Sequence, residues 1–158
     1  MDRYTLKELT NDDIPWLMEM EVNHGGGIFL EPLTEKEWEQ RIRTYEYTYG
    51  MWDNEKECFF GYTINCRIEN NIWVRQIMVQ PEYRKTSHEN WGGEFKRPIP
   101  YLLLKAAEMG GYCMIGIKED NTSARGAAEG RLGFDEVAYL NNFYQDGFDM
   151  VLVQKKLK

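Results

Sequence analysis

Cysteine and histidine are scarce in this chain, and each scarcity excludes a kind of chemistry. Cys58, Cys66 and Cys113 are the only cysteines, an odd number at long spacings with no CxxC pair, which supports neither a disulfide scaffold nor a structural zinc site. His24 and His88 lie 64 positions apart in neither an HxH nor an HxxxH pattern, so no histidine-based metal site is expected. Long hydrophobic runs are also missing: the most apolar stretch, Met109 to Ile117, contains three glycines and falls far short of the roughly 18 residues that span a bilayer. Met-Asp-Arg-Tyr leads into polar sequence without a signal-like apolar region, and Lys-Lys-Leu-Lys at the other end offers no lipidation cysteine, so the expectation is a cytoplasmic protein with reduced thiols and no membrane partner. No GxSxG elbow accompanies His24-Gly25-Gly26-Gly27, which leaves that glycine run as an interhelix loop instead of a hydrolase oxyanion loop. Walker and GxGxxG loops are absent as well. Hydrolase, metalloenzyme, kinase and nicotinamide classes recede together.

What is present suffices for one folded domain over residues 1–158: 42% of the residues are hydrophobic and 14% aromatic, enough for a core at this length. The net charge of −7 is unevenly placed. Residues 1–60 hold 14 acidic and 6 basic side chains, a balance of −8, whereas 61–158 hold 12 and 13, a balance of +1. A chain without a clustered cationic face is disfavoured as a nucleic-acid binder. If two ligands are bound, the first half suits a cation and the second an anion.

Periodicity gives the elements. Tyr4 to Leu9 alternates as a short strand, and Asn11 or Asp12 is placed to cap a helix running to about Val22, with Ile14, Leu17, Met18 and Glu21 at helical spacing. Thr34 with Glu37 three residues on predicts a capping box and a second helix to about Tyr45. Tyr47 to Trp52, Glu57 to Arg67 and Ile72 to Gln80 read as a strand meander, turned at 53–56 and at Asn70-Asn71. Residues 81–100, with three prolines, Gly92-Gly93, His88 and Trp91, read as a long loop. A helix over about 99–109 ends at Gly110-Gly111. Tyr112 to Lys118 follows as a strand, Asn121 opens a helix through Arg131, Gly133 ends it, and Phe134 to Leu140 and Phe148 to Leu157 close the chain as strands. The order β-α-α-β-β-β-α-β-α-β-β predicts a mixed α/β sheet.

Within that order, four local patterns stand in sequence: Val79-Gln80-Pro81-Glu82-Tyr83-Arg84 at a strand end, Tyr101-Leu102-Leu103-Leu104 in the next helix, Asn121 at the following one, and Leu132-Gly133-Phe134 at its end. Here the chain resembles the GNAT N-acyltransferase superfamily, which has V-x-P-x-Y-R, an L-L helix, a helix-opening Asn and L-G-F in the same places. The resemblance implies a single-domain GNAT-like α/β fold and acetyl-coenzyme A as co-substrate. Pantetheine amides would lie along strands that splay apart, at Ile77, Met78 and Val79 and at Met114 to Gly116. The pyrophosphate would fall to the loop after Arg84 and Lys85, with Asn121 also in the cofactor-binding set.

The sequence departs from the family at that loop. Residues 85–93 and Pro98 and Pro100 stand where a compact glycine-rich turn would enter the helix. Proline carries no N–H, so Gly92 and Gly93 are the residues left to rebuild an anion nest. The family's proton-donating tyrosine is replaced by Glu129, and its strand carboxylate by Arg75 and Gln76. Tyr144, Tyr139 and Glu21 are substitutes, with Tyr144 and Glu129 the catalytic candidates. The expected activity is acetyl transfer to a primary amine of a small molecule or protein, the acceptor being cationic and drawn by Glu19, Glu21 and Glu31. A homodimer is compatible with this reading. The alternative is a catalytically inactive protein on the same fold, a structural or interaction component such as a phage particle protein, with Trp91 exposed as the partner anchor.

Overall fold

The computed structural model describes residues 2–25, 32–86, 88–93, 96–144 and 146–157. Seven strands form one sheet: β1 (Tyr4–Glu8), β2 (Tyr49–Asp53), β3 (Cys58–Ile68), β4 (Asn71–Val79), β5 (Cys113–Lys118), β6 (Asp135–Leu140) and β7 (Met150–Lys155), in the order β1-β2-β3-β4-β5-β7-β6. Only the β4–β5 neighbours run parallel, because the crossover through α3 (Pro98–Glu108) lies between them. α1 (Ile14–Met20) and α2 (Glu35–Thr44) precede β2, and α4 (Thr122–Arg125) runs on as a π-helical stretch, Gly126–Arg131. The element order and the mixed α/β class are those read from the sequence. Among the described residues, no helix is long and apolar enough to cross a membrane.

Local chemistry explains most boundaries. Thr34 and Glu37 close the capping box expected of them, with the Glu37 carboxylate accepting from the Thr34 N–H at 2.7 Å. The first helix is capped one step earlier than expected: Thr10, with Asp13, forms a capping box around a 3-10 turn, Asn11–Asp13, and Pro15 then occupies the first turn of α1. α1 ends at Met20 and the chain continues as a π turn, Glu21–Gly25. α3 stops where Gly110 takes a φ of 75°.

The two faces of the sheet are covered differently. On one, Ile14, Leu17, Met20 and Trp38 of α1, its exit and α2 pack on Tyr62 and Ile64 of β3. On the other, Ile99, Leu102 and Ala106 of α3 pack on Ile72, Val74, Cys113, Val151 and Val153. A smaller cluster on the α3 side joins Tyr4, Met51, Phe60, Tyr83 and Trp91. The last of these overturns one expectation: Trp91 is 3% exposed, not presented on a free loop. Its ring lies 5.5 Å from Tyr4 and 5.8 Å from Phe60, and its indole N–H donates to Thr86 at 3.4 Å. Burial of so large an apolar ring over β1 fixes the 3-10 turn His88–Trp91 to the sheet.

Candidate active site

Three residue pairs, Ile72–Cys113, Trp73–Met114 and Val74–Ile115, join β4 to β5, and there the pairing stops. β4 continues to Val79 beside β3, and β5 continues to Lys118 beside β7. The two parallel strands therefore diverge, and the facing edges of 75–79 and 116–118 have no strand partner. Backbone groups on such edges need other partners. Ile77, Met78 and Val79 lie on this open edge, with Ile77 44% exposed. On β5 the expectation shifts by two residues, since Met114 and Ile115 are paired in the ladder and Gly116 is the first beyond it.

A bulge sets the chemistry of the divergence. Ile64 pairs with Gln76 and Asn65 with Val74, so Arg75 is an extra residue in β4. The insertion reverses the alternation: Val74 faces α3, whereas Gln76, two residues on, faces α1 and α2 with Ile64. Gln76 Nε2 there donates to Tyr62 Oη at 2.7 Å and approaches Glu21 Oε1 at 3.5 Å. The Glu21 carboxylate is buried and also accepts from the Leu33 N–H at 2.9 Å and the Trp38 indole N–H at 3.1 Å. Burial raises its pKa, and these donors with nearby Arg41 offset part of the rise. Glu21 is thus an internal group and not a surface charge that recruits from a distance. Glu19 is exposed, and Glu31 lies outside the described residues.

Tyr144, in the β6–β7 connection, lies by the end of β5, its ring 6.0 Å from Lys118 Nζ. Its pKa is raised by burial, and Arg75 is close enough to pull it the other way. Beside it Lys118, at the end of β5, is buried, ion-paired with Asp146 and 4.5 Å from the Phe148 ring. Glu129 is drawn elsewhere: Arg125, 3.9 Å from its carboxylate, also pairs with Glu136 of β6 at 3.0 Å and donates to Tyr139 Oη. Glu129 and Tyr139 therefore belong to a group at the β6 edge, across β7 from the divergence. Asn121 caps α4, its side-chain oxygen accepting from the Ala124 N–H at 3.2 Å.

The anion-binding residues are only partly brought together. Arg84 and Lys85 are exposed, with Arg84 Nε donating to the Val79 carbonyl at 3.2 Å. Gly92 and Gly93 have φ values of 64° and 110°, as a nest requires, but Gly92 packs on the Asp2 carboxylate, which pairs with Lys96. Trp91 thus carries the glycine pair toward β1. The α3 N-terminus is short of donors: Pro98 and Pro100 have none, and the Tyr101 N–H bonds Arg97 O at 2.9 Å, leaving Ile99. Arg97, the residue preceding the helix, compensates in charge. Its Nη2 donates to the Thr86 carbonyl at 3.1 Å, its buried Nε has no partner among the described residues, and burial together with the Arg131 charge lowers its pKa. Among the described residues no carboxylate is paired with Arg97, whose guanidinium next to the start of α3 can face an anion. Sequence reasoning gave Arg97 no role, because its place beside the Thr86 carbonyl is set by the folding of the segment before α3.

Comparison with known proteins places the fold. No family model and no curated protein sequence matches the chain. Among solved structures, it is similar to Ard1 of Thermoplasma volcanium, at a TM-score of 0.78 and 15% identity over 99% of each chain. It is similar also to the ribosomal-protein-S18-alanine N-acetyltransferase of Escherichia coli, at 0.73 and 18% over 98% of this chain and 96% of that one. A third is yncA of Salmonella typhimurium, a putative acetyltransferase solved with acetyl-CoA, at 0.68 and 16% over 99% and 95%. Identities this low establish a shared architecture over the whole chain.

Proposed function

From the GNAT acetyltransferase fold that this chain has, we propose that it transfers an acetyl group from acetyl-coenzyme A to a primary amine. The observation that carries the reading is the divergence of β4 and β5 after Val74 and Ile115, with open backbone edges on one side and a polar, bulge-set group on the other. The residues fit the co-substrate. The 76–79 edge offers backbone partners to pantetheine amides, and Arg97, Arg131 and Arg84 offer charge to the pyrophosphate in place of the N–H groups that Pro98 and Pro100 remove.

The chemistry needs no protein nucleophile. The amine lone pair attacks the thioester carbonyl carbon, a C–N bond forms, the C–S bond breaks, and the nitrogen loses a proton as the sulfur gains one. Positioning dominates such a reaction. Tyr144, half-buried by the end of β5 with its proton held by a raised pKa, is the group that supplies the sulfur's proton. Glu129 stands as the less suited candidate because Arg125 holds it. The acidic balance of residues 1–60 favours a cationic acceptor steered from outside, which thiol release with polyamines, basic peptides and neutral amines at two ionic strengths tests. Titration of acetyl-coenzyme A by calorimetry tests the whole reading: micromolar binding is expected, and none at saturating ligand overturns it.

A second reading, a catalytically silent module, draws on the displaced glycine pair and the proline-bearing helix start. Burial of Trp91 removes its proposed partner anchor.

A further inference from the structure

The bulge at Arg75 leaves Gln76 in an unusual state of hydrogen bonding. Its amide nitrogen faces two oxygens, Tyr62 Oη at 2.7 Å and Glu21 Oε1 at 3.5 Å. A carboxylate accepts and does not donate, so the side-chain orientation is fixed: the NH2 group points at Glu21, and the carbonyl oxygen points away from it. Among the described residues, no donor is bonded to that oxygen. Glu21 cannot turn to suit Gln76, because its other oxygen is held by the Leu33 N–H and the Trp38 indole. The result is one acceptor oxygen on the bulged strand, two residues beyond the last β4–β5 pair at Val74, turned away from the buried Glu21 carboxyl that the Gln76 nitrogen approaches.

We infer that Gln76 binds the acceptor amine through its side-chain carbonyl oxygen, and that Glu21 is the positioning residue that holds this oxygen forward. The assignment rests on the acyltransferase reading for the identity of the ligand. An attacking amine has N–H bonds to direct, and a fixed acceptor oriented on the strand edge turns the nitrogen lone pair toward the carbonyl carbon. Glu21 also connects the acceptor contact to the α1–α2 segment, so that the same carboxylate that ties Leu33 and Trp38 in place decides the state of Gln76.

The test follows from donor and acceptor counting. In Glu21→Gln, the new amide must keep its oxygen on the Leu33 and Trp38 donors, which turns its NH2 toward the NH2 of Gln76. Gln76 then rotates, and a donor replaces the acceptor that faces the amine. We expect kcat/KM for the amine to fall tenfold or more through the amine KM, with acetyl-coenzyme A affinity and thermal midpoint close to the parent. The swap Glu21→Gln with Gln76→Glu restores the pattern, since the amide at 21 now donates to a carboxylate at 76, and should recover most of the loss. An unchanged amine KM in Glu21→Gln, or a folded swap variant no better than the single one, overturns the inference. A readout free of folding and turnover is the Gln76 side-chain amide by NMR. Two distinct, exchange-protected protons that shift on titration with methylamine are expected, and freely exchanging protons or no shift overturn it. Failure of calorimetric acetyl-coenzyme A binding sinks the acyltransferase reading instead, and the methylamine titration still decides the contact.

Discussion

Single side chains in this protein are governed by what their neighbours leave them to bond. Asp53 is wholly buried, yet Arg3, Tyr83 and the backbone N–H groups of Glu55 and Lys56 all donate to it. Burial alone would raise its pKa, but these four donors outweigh it, and the carboxyl lies below its usual value. A carboxyl depressed in the folded state adds stability that is complete above its unfolded value, about 3.9, and is lost as pH falls through the lower folded value. The thermal midpoint should therefore drop steeply below about pH 4, and in Asp53→Asn that acid dependence should flatten, as a melting series from pH 2 to 6 would show. Cys113 is the opposite case. Burial pushes its thiol up to about 12, so alkylating agents should leave it unmodified in the native protein. At the proposed anion site, a charge-assisted contact to phosphate contributes about 1.5–3 kcal/mol. Arg97→Ala and Arg84→Ala should each weaken acetyl-coenzyme A at least about tenfold in calorimetry, and the one that leaves the affinity unchanged does not touch the co-substrate.

Elements are placed by a few close approaches. Gly111, between α3 and β5, brings its backbone so near the Asn70 carbonyl that an added Cβ would sit 1.8 Å from that oxygen. Neither backbone can yield without moving the β3–β4 turn, so Gly111→Ala should destabilise the protein by several kcal/mol in denaturant titration, beyond the usual range of about 0.5–3 for a point change. The start of α3 shows the reverse possibility. Pro100→Ala returns an N–H to a first turn that now has only that of Ile99, and the expected result is tighter binding of acetyl-coenzyme A by a few-fold, measured by the same calorimetry. The segment 88–93 behaves as part of the fold because of Trp91. Trp91→Ala should cost about 3–5 kcal/mol of stability, with its largest effect on β1 and the 3-10 turn it covers.

For the whole molecule, the sheet and its divergence make a distinct prediction about ligand response. Acetyl-coenzyme A should slow amide exchange along 76–79 and 116–118, where strand edges are open, and should change little at 88–93, which Trp91 already anchors. Protection confined to 88–93 would relocate the co-substrate to the glycine pair and away from the divergence. The aromatics of the β6–β7 connection, Phe143, Tyr144 and Phe148, stand over the end of β5, where Lys118 Nζ is 6.0 Å from the Tyr144 ring and 4.5 Å from that of Phe148.

Much of this was legible in the sequence because it is local. Helix caps at Thr34 and Asn121, the stop at Gly110, the strand alternation and the element order follow from side-chain chemistry within a few residues. The four motifs from Val79 to Phe134 brought the fold with them. What tertiary structure decided was everything that depends on facing partners. The bulge at Arg75 has no sequence mark, since it exists only relative to β3, yet it turns Gln76 toward Glu21 and fixes where β4 and β5 part. Trp91 looked like an exposed loop residue among glycines and is buried because β1 presents Tyr4 and β3 presents Phe60. Gly92 and Gly93 had the conformational freedom of a nest, but the anchoring of that tryptophan placed Gly92 against Asp2. Glu129 stood at the family's catalytic position by count, and its ion pair with Arg125 beside β6 reflects the side to which the π-helical stretch turns it. Periodicity fixes which elements form, whereas bulges, register and packing of distant side chains fix which groups meet.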